Sequence, residues 1–173
     1  MRRRRAAFTL IEMLAVIALL AILAAAATVS LAGAARAARL EDVAERVVAF
    51  DRATRDAAKQ FGRTPALRFD LNRGTVHRID GEREAAPLHL AGAARVTRLM
   101  MNGRDSASGE AFVRFSSLGQ SPSYAVLLAG PGGERWVLFA GLTGQPLILH
   151  NEREVQNILS ADRAASADRP DAR

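Results

Sequence analysis

From Met13 to Ala35 the chain carries no charged residue. As an α-helix rising 1.5 Å per residue this run measures about 34 Å, enough to span a hydrocarbon core of about 30 Å. Four arginines, Arg2 to Arg5, precede it, and one carboxylate, Glu12, stands at its mouth. A carboxylate in that position costs about 2.5–3.5 kcal/mol on insertion scales, so its default reading is functional.

A cleavable secretory signal also starts with basic residues, but its apolar core is about 7–15 residues long and holds no acid. The paired arginines followed by Phe8 and Leu10 share something with a twin-arginine export signal. Glu12 and the length of the run count against both readings. Positive charge beside a membrane segment is retained on the cytoplasmic side, which places Arg2 to Arg5 inside and the C-terminal body outside.

Residues 7–12, Ala-Phe-Thr-Leu-Ile-Glu, closely resemble the processing site of type IV prepilins and type II secretion pseudopilins. In that family a short basic leader is cut before a phenylalanine, and a glutamate follows four residues on. The resemblance implies cleavage between Ala7 and Phe8 by a prepilin peptidase and N-methylation of the new Phe8 amine. It also implies that Glu12 engages the N-terminal amine of a neighbouring subunit and sets filament register. A positive amine is the natural partner of a carboxylate in a low-dielectric medium. The family usually has glycine before the cut, where this chain has Ala7.

The rest of the chain reads as one modest extracytoplasmic domain. The formal charge of +6 includes four leader arginines, and removing them leaves about +2, weak support for a nucleic-acid partner. Lys59 is the single lysine, an imbalance typical of genome composition. There is no cysteine, which excludes a thiolate nucleophile, a thiolate metal site and a disulfide framework.

Residues 36–62 read as an amphipathic continuation of the same helix. Leu40, Val43, Val47, Phe50, Thr54, Ala57 and Phe61 form one stripe at spacings of three and four. Arg39, Glu41, Asp42, Glu45, Arg46, Asp51, Arg52 and Asp56 cover the other faces. Gly62 and Pro65 end the helix.

Residues 63–150 read as a β-rich domain. Strands are predicted over 67–71 and 75–79, with short ones at 88–90 and 95–99, a loop over 102–109 and a strand over 111–115. Residues 124–129 and 135–140 are near-continuous apolar runs joined by Gly130-Pro131-Gly132-Gly133, a hairpin, and a last strand covers 147–149. A short helix over 152–160, using Val155, Ile158 and Leu159, begins a polar tail, 151–173, which otherwise reads as disordered. The fold class expected is α+β: a pilin-like fold in which a long N-terminal helix packs on an antiparallel β-sheet.

Chemistry-bearing constellations are missing. His77, His89 and His150 are isolated, and Asp70, Asp80 and Asp105 are too scattered for a calcium site. No Gly-rich turn follows a strand and opens a helix, so nucleotide binding has no support. The sequence predicts no catalytic residue, no metal and no cofactor.

Within the pilin-like group, Phe115 to Leu149 resembles the C-terminal half of the H-type minor pseudopilins (the GspH/FimT group). Phe115, Gly119, the two apolar strands and Gly144 stand where that group has them, whereas Gln145-Pro146 replaces its basic residue. The resemblance implies a minor pseudopilin of a type II secretion system in the inner membrane. Its single pass has the N-terminus cytoplasmic and the C-terminal domain periplasmic, and its partners are other pseudopilins, the prepilin peptidase and membrane lipid. The alternative is a minor type IV pilin of FimT type, some of which bind DNA. Arg153, Arg163, Arg169 and Arg173 would then be phosphate contacts, but Glu152, Glu154, Asp162, Asp168 and Asp171 nearly cancel them.

Overall fold

A computed structural model describes residues 10–90 and 94–167, apart from the side chains of 27–31, 166 and 167. Ala7 and Phe8 lie outside the described residues. One unbroken helix, α1 (Leu10–Phe61), carries both the apolar run and the amphipathic stretch. Alanine and leucine, strong helix formers, dominate its first half. At its end the Arg63 N–H bonds back to the Ala58 carbonyl at 3.2 Å, and Pro65 cannot extend the helix.

Among the described residues nine strands follow: β1 (Ala66–Asp70), β2 (Thr75–Asp80), β3 (Arg83–Glu84), β4 (Arg95–Met101), β5 (Arg104–Ser106), β6 (Glu110–Arg114), β7 (Tyr124–Gly130), β8 (Gly133–Phe139) and β9 (Pro146–Leu149). A second helix, α2 (Glu152–Ala167), closes the described chain. The strands form two antiparallel sheets, ordered β3-β2-β1-β6 and β5-β4-β7-β8-β9. The one sheet expected from sequence is thus two. β6 pairs with β1, and the loop over 115–123 is held at the end of α1, so β7 restarts in the other sheet.

The main core lies between α1 and the inner faces of both sheets. Leu40, Val43, Ala44, Val47 and Ala58 of α1 meet Leu67, Phe69, Val76, Val96, Val113, Val126, Leu128, Val137 and Phe139. The alternate residues of β7 and β8, Ala125, Leu127, Trp136 and Leu138, form a second cluster with Met100 and Val155. Burial on both faces explains why these two strands read as continuous apolar runs rather than as alternating ones.

The structure corrects four further expectations. The helix expected over 152–160 runs on to Ala167, and residues 168–173 lie outside the described residues. Asn151 starts this helix, its side chain accepting from the Arg153 N–H at 3.0 Å, and Val155 and Leu159 find an apolar sheet face to cover. The loop over 102–109 contains β5, because Asn102 and Gly103 both take positive φ, 53° and 73°, the geometry of a tight hairpin turn. Residues 88–90 form no strand and are tied to β2 by one bond, Leu88 N–H to the Val76 carbonyl at 2.8 Å. On α1, Phe61 is exposed and Asp51 is buried. A strict three-four alternation drifts about 20° per heptad against a 3.6-residue helix, so the stripe rotates off its line over three heptads. Among the described residues no helix is long and apolar enough to cross a membrane.

Candidate functional site

Every described side chain from Leu10 to Ala26 is exposed, with Leu10 at 79%, Ile17 at 62% and Leu20 at 59%. Contact with the body begins at Arg36 and Ala37, which lie against Gly132, about 39 Å along the axis from Leu10, and the buried side chains of α1 begin at Leu40. A helix that is apolar all round needs an apolar environment from elsewhere, a bilayer or other helices. Glu12 sits in the first turn of α1, where the partial positive charge of a helix N-terminus favours a carboxylate.

The second half of α1 is locked to the sheets by a buried polar clamp. Arg55 donates from Nε to Asp51 at 2.7 Å, from Nη1 to the carbonyls of Gly119 and Gly141 at 3.0 and 2.9 Å, and from Nη2 to Ser121 Oγ at 2.9 Å. The second oxygen of Asp51 accepts from the Tyr124 hydroxyl at 2.6 Å. The Tyr124 ring stacks on Phe139 at 4.8 Å and meets Phe69 edge-on at 6.0 Å. Burial, and then the Asp51 carboxylate beside it, raises the Tyr124 pKa well above its ordinary 10.0. Tyr124 therefore stays a donor.

Phe115, Gly119 and Gly144, which carry the H-type resemblance, converge on this clamp. The Arg55 guanidinium lies 5.0 Å over the Phe115 ring, and the Gly119 carbonyl accepts from it. A Cβ on Gly144 would stand 2.7 Å from the Arg55 Cδ, so a larger residue there would displace the side chain. Reading the stripe alone misses Asp51 and Arg55. The available signal was their opposite charges at i and i+4, continuing the line from Val47.

A second ionic group ties α2 to its sheet. Arg98 of β4 donates to Asp105 of β5 from Nε at 2.7 Å, and to both Glu152 oxygens at 2.8 and 3.0 Å. Its guanidinium lies 5.7 Å over Trp136. Asp105 and Glu152 raise the Arg98 pKa further above its usual value.

The remaining residues singled out from sequence do not meet. His77 Nδ1 lies 2.6 Å from Glu84, Asp80 pairs with Arg63 at 3.0 Å, and Asp70 accepts from the Asn72 and Arg73 N–H groups. His89 and His150 are exposed. Among the described residues no group of three or more His, Asp or Glu side chains could hold a metal ion.

Residues 2–28 match a family model described as the prokaryotic N-terminal methylation motif. The chain carries a prepilin-type N-terminus. That motif is typical of type IV pilin-like proteins, and it supports N-methylation and processing by a prepilin peptidase. It implies a membrane-anchored N-terminus, in keeping with the uncovered apolar start of α1. The match covers only the first part of the chain, and no curated protein and no solved structure matches the whole. The β domain joined to this prepilin-type N-terminus makes the chain α+β, compatible with a pilin-like fold.

Proposed function

We propose that the chain is a minor pseudopilin of a type II secretion system. The observation that carries this reading is α1 itself: a prepilin-type motif heading a helix whose described side chains from Leu10 to Ala26 are exposed and, apart from Glu12, uncharged. In the proposed cycle the peptidase cuts between Ala7 and Phe8 and methylates the Phe8 amine. The uncharged run from Met13 to Ala35 then holds the subunit in the inner membrane, with the β domain in the periplasm. On extraction into the filament, the same apolar surface packs on the helices of other pseudopilins, and Glu12 meets the Phe8 amine of a neighbour. The clamp at Arg55 keeps the β domain at a fixed angle on the helix, so the subunit enters as one rigid piece.

We assign the chain no reaction, metal or cofactor of its own. The arrival of Phe115, Gly119 and Gly144 at one buried arginine supports the H-type assignment, because residues far apart in sequence serve one structural purpose. Deleting the chain in its host tests the choice of filament. Loss of protein secretion with surface pili intact is the expected result. Loss of pili or of DNA uptake, with secretion intact, would make it a minor type IV pilin instead.

A further inference from the structure

A basic cleft lies on the rim of the β domain, at the level where the uncharged run ends. Three close approaches fix its place. A Cβ on Gly132, in the β7–β8 turn, would stand 2.3 Å from the Arg36 carbonyl oxygen, so that turn touches α1 at the first charge after the run. A Cβ on Gly130 would stand 3.3 Å from the Ala94 Cα, and one on Gly74 would stand 2.6 Å from the Arg95 Cβ. The β7–β8 turn, the start of β4 and the β1–β2 turn therefore share the level of Arg36. Tyr124 and Met101, at the other ends of β7 and β4, pair with each other, and Tyr124 reaches Asp51 further along α1.

The cleft is open, holds about 300 Å³, and is lined by Arg73, His89 and Arg95 together with Pro87, Leu88 and Leu90. Arg73 and Arg95 are exposed, as are Arg36 and Arg39 on α1. The acidic group facing Arg73 is Asp70, 3.7 Å from its Nε. Asp70 already accepts from two backbone N–H groups at 3.1 and 2.9 Å, which leaves the outer side of the guanidinium to solvent. Two guanidinium groups above an apolar wall suit a ligand with a phosphate at one end and hydrocarbon at the other, because guanidinium recognises phosphate through paired hydrogen bonds.

We propose that this cleft holds the phosphate of an anionic phospholipid headgroup in the membrane that anchors α1. The inference rests on the anchored reading of α1 given above. Its position decides for lipid over a soluble phosphate ester: headgroups lie where an apolar span meets its first charges, and here those are Arg36 and Arg39. A bound headgroup fixes how the β domain sits on the bilayer before the subunit is extracted.

The test uses the full-length chain in non-ionic detergent with equal amounts of phosphatidylglycerol and phosphatidylcholine. Native mass spectrometry counts the lipid retained. Phosphatidylglycerol is expected to be preferred, and Arg73→Gln with Arg95→Gln to cut that preference about thirtyfold, about fivefold per arginine. Arg153→Gln with Arg163→Gln, on α2 beside the opposite end of β4, should leave it unchanged. All four side chains are exposed, so equal thermal unfolding midpoints would show that the folds are intact. An undiminished preference in the Arg73/Arg95 variant overturns the proposal. So does full displacement of the lipid by millimolar inorganic phosphate, which would assign the cleft to free phosphate. Insertion into pure phosphatidylcholine vesicles separates the two readings. A chain that inserts but shows no lipid preference sinks the cleft alone, and one that fails to insert sinks the anchor and the cleft together.

Discussion

Replacing Arg55 with methionine removes the charge at the centre of the clamp while keeping much of its volume. Asp51, 1% exposed, then holds a buried negative charge with only the Tyr124 hydroxyl as donor. The Gly119 carbonyl loses its Arg55 donor as well, and the Gly141 carbonyl keeps only the Ser121 N–H. Breaking one side of a buried ion pair costs about 3–5 kcal/mol. Taking about 4 kcal/mol and a urea slope of about 2 kcal/mol per molar, the unfolding midpoint falls by about 2 M. Trp136 is the only tryptophan and is buried in the cluster under α2, so its fluorescence reports the loss in the detergent-solubilised chain. The double variant Asp51→Leu with Arg55→Met removes both charges together. Buried pairs replaced by apolar groups often lose little, so it should be more stable than Arg55→Met alone, with a coupling of about 2–3 kcal/mol. A loss below about 1 kcal/mol in Arg55→Met, or additive effects in the double variant, would refute the reasoning.

Three further outcomes follow from the same geometry. Below pH 10.0, the ordinary tyrosine value, folded and unfolded chains both keep the Tyr124 proton and its stabilisation is complete. Above that pH the unfolded chain loses the proton while the folded one retains it, so stability falls by about 1.4 kcal/mol per pH unit until the folded pKa is reached. Urea titrations between pH 9 and 11.5 should show this slope, and Tyr124→Phe should abolish it, since Tyr124 is the only tyrosine. Gly132→Ala forces a Cβ onto the Arg36 carbonyl and should cost about 1–3 kcal/mol, read from the thermal midpoint. Val155→Asp places a charge in the cluster under α2 and should speed amide hydrogen exchange across 152–167 while leaving 40–58 protected.

What was legible in the sequence follows from which signals are local. The uncharged run, the helix stop near Gly62 and the Gly130–Gly133 hairpin each depend on a few adjacent residues, and each is present in the structure. Asp51 was misplaced and Arg55 missed because charged residues on a helix are solvated by default, and only the loops of Gly119 and Gly141, more than 60 residues away, make them core. The start of α2 was legible from Val155, Ile158 and Leu159, but its run on to Ala167 was not, because residues 161–167 carry no apolar stripe of their own. The second sheet depends on β6 pairing back to β1, a choice no residue in 110–114 announces. For the candidate site, Glu12 and the apolar run stand out by their chemistry alone, whereas the cleft at Arg73 and Arg95 exists only once three turns are brought to one level.

The central claim is that this chain is matured as a prepilin and works through the helix that maturation exposes. Intact-mass and N-terminal peptide analysis of the protein from its native membrane, with and without the prepilin peptidase, tests it most directly. The account predicts a mature chain beginning at N-methylated Phe8, with the leader retained when the peptidase is absent. A chain that still begins at Met1 when the peptidase is present, or one cut after the apolar run near Ala35, would contradict it.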